Sequence, residues 1–189
     1  MSEIRLPSFL KGKQVSLVPV NMEHLDLYIK WMNNPDVRKY ARNVLPITIE
    51  EMKKYFKAME QGIKTEIHFE IVHNENHKPV GDCSFFRINW VDGVAHIGLS
   101  IGEKEYWGQG NATEAIGLMI NYGFAELNLH KIYAFIFAPN KASYRTVEKN
   151  GFTREAILKK DIHIDGVYED TYYYSILKED WLKQRDNKK

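Results

Sequence analysis

Cysteine is nearly absent: Cys83 stands alone among 189 residues. No disulfide can form within the chain, and a cysteine zinc site is excluded with it. Neither sign of charge is in excess, with 26 Lys and Arg against 25 Asp and Glu and a formal net charge of +1. No basic field favours nucleic acid, and there is no acidic one either. The basic pairs Lys159-Lys160 and Lys188-Lys189 are too short for a polybasic tract. Apolar runs are short as well. None approaches the ~20 residues that span a bilayer, and Arg5, Pro7 and Lys11 interrupt any leader-like core near the start. These absences predict a cytoplasmic protein with no nucleic-acid, membrane or metal partner. With 44% hydrophobic and 27% charged residues, the composition is that of an ordinary globular protein. The length suits a single domain over 1–189, its core about 14–178, followed by a short tail.

The pattern along the chain predicts an α+β domain without repeats or linkers. Alternation over 15–20 reads as a strand. Leu25, Tyr28, Ile29 and Met32 recur at helical spacing until Asn33-Asn34-Pro35 ends the run. A brief helix over 36–40 follows, and Thr48-x-x-Glu51 is a capping box opening a helix to about residue 61. Three strand-like runs, 67–73, 79–88 and 94–101, are separated by turn residues and form an antiparallel meander. A long amphipathic helix follows Gly110, then a buried strand over 132–138. Asn140 caps a second helix, which ends at Asn150-Gly151. Asp165-Gly166 joins two last strands, about 153–164 and 168–177, as a hairpin.

Two helix starts carry the chemistry. The first follows Tyr106-Trp107-Gly108-Gln109-Gly110-Asn111-Ala112-Thr113-Glu114. Gly108 and Gly110 allow positive φ and keep side chains clear of a ligand. The first turn beyond them offers unpaired N–H groups at the positive end of the helix dipole, suited to a phosphate or pyrophosphate. This is neither a P-loop, for no Gly-Lys-Ser/Thr follows, nor a GxGxxG fingerprint, for Thr113 takes the third glycine's place. The second start is Ala138-Pro139-Asn140-Lys141-Ala142-Ser143. Two neighbouring strands thus each feed a helix whose N-terminus faces one sheet edge, and a long phosphorylated ligand fits between them.

In these pieces, and in Leu127-Asn128-Leu129-His130-Lys131-Ile132, Glu148-Lys149-Asn150-Gly151-Phe152 and Trp31-Met32-Asn33-Asn34-Pro35, the chain resembles the GNAT N-acetyltransferases, in particular their RimJ/RimL-like branch. The resemblance implies a mixed, mostly antiparallel central sheet flanked by helices, and acetyl-CoA as co-substrate. It implies that Gly108, Gln109, Gly110, Asn111, Ala112 and Thr113 hold the pyrophosphate. Backbone of Leu99, Ser100 and Ile101 would pair with pantetheine, and Asn140 would hydrogen-bond near its amide. Two positions depart from the family pattern. Trp107 stands where the motif starts with Gln or Arg, and Val147 replaces the Tyr that serves many relatives as general acid. Ser143 occupies the place of the alternative acid.

Direct acetyl transfer has two proton requirements. An alkylamine with a pKa near ~10 must be neutral to attack, and an α-amino group near ~8 meets this more easily. The leaving thiolate gains from a donor, here Ser143, with Tyr144 as its neighbour. For the base, His96 stands where the family often has Glu, and an ordinary imidazole accepts a proton at neutral pH. Asp82, Glu155 and Asp161 are reserve bases. The predicted acceptor is a protein N-terminal amine. The alternatives are a polyamine or amino-sugar, for which Glu23, Asp26, Glu50 and Glu51 would supply negative charge, and an acetyl-CoA sensor without activity. Trp31, Tyr40, Phe85, Trp90, Tyr168 and Tyr172–Tyr174 are aromatic candidates for the acceptor groove. A strand of the last hairpin could pair with a second copy, making a homodimer.

Overall fold

The computed structural model describes residues 7–41, 44–58 and 64–186. Its centre is one sheet of eight strands in the order β1-β2-β3-β4-β5-β6-β8-β7. The strands are β1 (Leu10–Lys11), β2 (Val15–Pro19), β3 (Ile67–His73), β4 (Pro79–Asn89), β5 (Val94–Ile101), β6 (Lys131–Phe137), β7 (Thr153–Ile164) and β8 (Val167–Leu177). Every pairing is antiparallel except β5 with β6. The helices are α1 (Leu25–Asn33), α2 (Pro35–Arg38), α3 (Ile49–Ala58), α4 (Asn111–Ala125), α5 (Lys141–Lys149) and α6 (Lys178–Asp186). This is the α+β domain that the pattern predicted, with the mixed, mostly antiparallel sheet that the resemblance implied. The end of the third predicted helix, residues 59–61, lies outside the described residues.

Period-two alternation divides the sheet into two faces. On one, Leu17, Phe69, Ile71, Cys83, Phe85, Ala95, Ile97, Ile132 and Ile136 join Ala115, Met119 and Phe124 of α4 in the main core. Burying these side chains against α4 is the principal stabilising term of such a layer. Cys83 is fully buried in this core, as a strand residue. On the other face, a smaller cluster of Tyr28, Trp31 and Val37, with Phe56 packed on it, belongs to α1, α2 and α3. Residues 178–186, beyond the 14–178 core expected above, form α6. Its Trp181 packs on Phe124 with ring centroids 5.5 Å apart and donates its indole N–H to Asn121 Oδ1 at 2.9 Å.

The feature that makes a site is where β5 and β6 part. They pair only through Val94–His96 with Lys131–Tyr133. Beyond that, Ile97 to Ile101 pair with β4 alone, and Ala134 to Phe137 with β8 alone. Two parallel strands that diverge leave a wedge between them, and both following helices start at its mouth.

Candidate active site

At the first wall of the wedge, Gly108 (φ +72°) and Gly110 (φ +91°) turn the chain into α4. A Cβ at Gly108 would meet nothing within 4 Å, so the turn faces open space. Gly110 is the N-cap, and no side chain caps the helix. The first bond into α4 runs from Glu114 N–H to the Gly110 carbonyl at 3.0 Å. The N–H groups from Gly108 to Thr113 therefore have no acceptor among the described residues. An uncapped terminus of this kind fits a pyrophosphate.

The side chains of this turn are used to build it. Gln109 Nε2 donates to the Glu105 carbonyl, and buried Asn111 donates through Nδ2 to the Tyr106 carbonyl at 3.1 Å. The amide nitrogens of both side chains are thus engaged within the turn itself. Glu114 turns its carboxylate away from the helix mouth and accepts from the N–H groups of Lys13, Gln14 (2.8 Å) and Val15 (3.1 Å). Gly12 allows this close approach, since a Cβ there would lie 2.5 Å from the Val15 carbonyl and 2.8 Å from Glu114 Oε1. Trp107 donates its indole N–H to the Ile101 carbonyl at 2.7 Å. That carbonyl is thus occupied, and Leu99 and Ser100 carry the remaining edge of β5. Sequence reasoning missed the work of Glu114 and Trp107, because both act across elements far apart in sequence or in direction.

At the second wall, Asn140 accepts from Ser143 N–H at 3.2 Å, so it is the α5 cap that its residue type predicts. The Asn140 Nδ2 and the Ser143 hydroxyl have no partner among the described residues. Val147 is buried in the core rather than turned into the wedge. Tyr144 packs toward Tyr172, ring centroids 6.2 Å apart. Asn150 ties the far end of α5 to the first turn of α4, donating to the Thr113 carbonyl at 3.0 Å.

His96 lies at the apex of the wedge, opposite Tyr133. Its ring sits among Phe86, Tyr133 and Phe135, with centroids 5.8, 5.3 and 5.8 Å away. Burial, reinforced by the Arg87 charge, pushes its pKa down to about 4. The imidazole is neutral at pH 7 but weakly basic. Glu155 is tied to Lys131 at 2.8 Å and to the Ser175 hydroxyl.

The face carrying α1 and α3 gathers acids that strand parity aligns. Glu70 on β3, Asp82 on β4 and Ser100 on β5 stand directly opposite one another in the ladder. Buried Glu70 accepts from the Tyr28 hydroxyl and lies 2.7 Å from His24 Nδ1. Glu66 accepts from the Tyr55 hydroxyl at 2.7 Å and lies 3.0 Å from His68 Nε2. Burial and these acids push both phenols well above their ordinary range. No Lys or Arg bonds Glu66, Glu70 or Asp82 among the described residues. Among the helix acids considered from sequence, Glu51 is consumed by its capping box with Thr48, and Glu50 pairs with Lys53 at 3.0 Å. Of the aromatics, Trp31, Phe85 and Tyr174 are buried in the cores, whereas Trp90 and Tyr168 are exposed. Tyr173 joins the rings around His96, stacking on Tyr133.

A diverging parallel strand pair with an uncapped helix start on one side is suited to a long ligand that carries a phosphate group. Residues 14–153 match the acetyltransferase (GNAT) domain, and the chain belongs to that family. It is an acetyl-CoA-dependent N-acetyltransferase. It is 35% identical over 180 residues to the probable N-acetyltransferase YjcK of Bacillus subtilis, covering 90% of this chain and 98% of that one. It is 28% identical over 175 residues to the spermidine N(1)-acetyltransferase of Escherichia coli K12, covering 90% and 89%. The fold is also that of the Vibrio cholerae spermidine N-acetyltransferase crystallised with CoA and spermine. The TM-score is 0.83 at 24% identity, over 90% of this chain and 99% of that one. Among the described residues no helix is long and apolar enough to cross a membrane, and no group of His, Cys, Asp or Glu could hold a metal ion.

Proposed function

We propose that this GNAT enzyme, cytoplasmic and of the RimJ/RimL-like kind, acetylates a primary amine of a small polycation of the spermidine type. The observation that carries the acceptor class is the set of Glu66, Glu70 and Asp82 on one sheet face without a Lys or Arg partner among the described residues. Carboxylates without a Lys or Arg beside them favour an approaching polycation. The relatives named spermidine N-acetyltransferases support the same choice over the protein N-terminal amine expected from sequence.

In this reading acetyl-CoA supplies the activated acetyl thioester. The N–H groups of Gly108 to Thr113 hold its pyrophosphate, and the open edge at Leu99 and Ser100 aligns the pantetheine arm. Asn140 Nδ2 donates to that arm. The Ser143 hydroxyl, beside it in the first turn of α5, donates to the leaving sulfur. No nucleophile on the enzyme is needed.

Thiol release from acetyl-CoA over a panel of spermidine, spermine, an amino-sugar and N-terminal peptides tests the acceptor. Spermidine and spermine are expected to give the highest kcat/KM. A peptide as best acceptor would overturn the polyamine reading, and bound acetyl-CoA with no thiol release on any amine would leave a sensor.

A further inference from the structure

We infer that Asp82 is the proton acceptor for the incoming amine, placed by the cross-strand row that runs from Glu70 through Asp82 to Ser100. This rests on the N-acetyltransferase reading above and names a residue for its first proton transfer. The row ends on the β5 stretch whose outer edge is left open when β6 departs. A base there stands beside the strand that aligns the thioester arm.

Occupancy distinguishes Asp82 from its neighbours. Glu70 is held by Tyr28 and His24, Glu66 by Tyr55 and His68, and Glu103 by Lys30 and Trp31. Asp82 has no hydrogen bond or ion pair among the described residues, although it is only half-exposed to solvent at most, on the floor between β3 and β5. A half-buried carboxyl without a donor has no structural use that would account for its desolvation. Glu70 on β3 and Ser100 on β5 stand opposite it, His68 and His96 lie further along the same face of those strands, and Tyr28 of α1 and Tyr55 of α3 are near enough to feel its charge. Burial keeps both imidazoles neutral and both phenols protonated at pH 7. With Glu70 opposite and no Lys or Arg among these neighbours, the position favours an approaching ammonium.

Burial pushes the Asp82 carboxyl up to about 7, near the working pH at which a base is most effective. His96, expected from sequence to take this role, holds protons far less well. The balance is simple. The ammonium gives one proton to the Asp82 carboxylate. The neutral amine forms the new C–N bond to the acetyl carbon as the C–S bond breaks, and its second proton ends on sulfur. Asp82 then returns its proton to water.

Asp82→Asn is expected to lower kcat/KM about 100-fold at pH 7. Its pH profile should lose the limb near 7 and climb with the free-amine fraction instead, while acetyl-CoA still raises the melting temperature as in the wild type. A variant that keeps the limb, or a limb that moves on His96→Gln instead, would overturn the assignment. Direct titration of the Asp82 carboxyl by isotope-edited infrared spectroscopy of the free protein separates this inference from the function. A midpoint near 7 supports it, and a midpoint in the ordinary carboxylate range overturns it whatever amine is acetylated. A raised carboxyl pKa also costs folded-state stability as pH rises from the unfolded value through 7. Asp82→Asn should therefore melt above the wild type at pH 8.

Discussion

Ser143 stands in the first turn of α5, its N–H bonded to Asn140 and its hydroxyl without a partner among the described residues. Removing that hydroxyl takes away no bond of the folded protein. Ser143→Ala is therefore expected to leave the melting temperature unchanged and to lower kcat at least ~10-fold, as loss of one positioned donor does. Thiol release and thermal denaturation of the same variant check both halves, and an unchanged kcat would remove Ser143 from the mechanism. Residue type marked Asn140 and Ser143 as cap residues, because cap chemistry is local, and the family resemblance supplied the role of Ser143. Residue type could not distinguish the free hydroxyl of Ser143 from the consumed side chains of Gln109 and Asn111. Which polar groups are left over depends on the carbonyls of Glu105 and Tyr106 folding back beneath them.

At the scale of elements, α4 and α5 were legible because both carry glycine or Asx punctuation next to apolar periodicity. The last helix was not. Lys178 to Asp186 is charged along most of its length and has no strong apolar stripe; its buried residue, Trp181, docks on Phe124 and Asn121, with Leu182 packed beside it on the core. Trp181→Ala should cost about 3 kcal/mol in urea unfolding, the lower range for deleting a large buried aromatic. Hydrogen exchange over 178–186 should rise far more than over α4. Equal protection in the variant would mean that the rest of α6 docks without its tryptophan. The turn before α4 is held in the same cross-chain manner. Glu114 gathers the backbone of Lys13 to Val15, and Trp107 closes the last carbonyl of β5.

For the whole molecule, β1–β5 and β6–β8 are joined only by the short pairing of β5 with β6, and a ligand in the proposed wedge would add a second bridge between them. A ligand bound only to the folded state stabilises it by mass action, by about 2.7 kcal/mol at 100 times its Kd. For a domain of this size, that is a rise of about 5–10 °C in melting temperature. Acetyl-CoA and acetyl-free CoA should both produce it, since the pyrophosphate and pantetheine contacts are common to both. No rise with either would reject the two-helix site. Gly110→Ala should diminish the shift, because a side chain at φ +91° strains the turn that presents the N–H groups.

The sequence by itself determined the element order, the two helix starts and the family, since turn chemistry, capping and hydrophobic period act over a few residues. Its spacing also put acids on alternate strand positions. Only the tertiary structure decided which of them matter. Strand register brings Glu70, Asp82 and Ser100 side by side, helix docking supplies Tyr28 and Tyr55 to Glu70 and Glu66, and packing by three rings makes His96 a poor base. Proton affinity follows from burial and from partners, and both are set by residues distant in the chain.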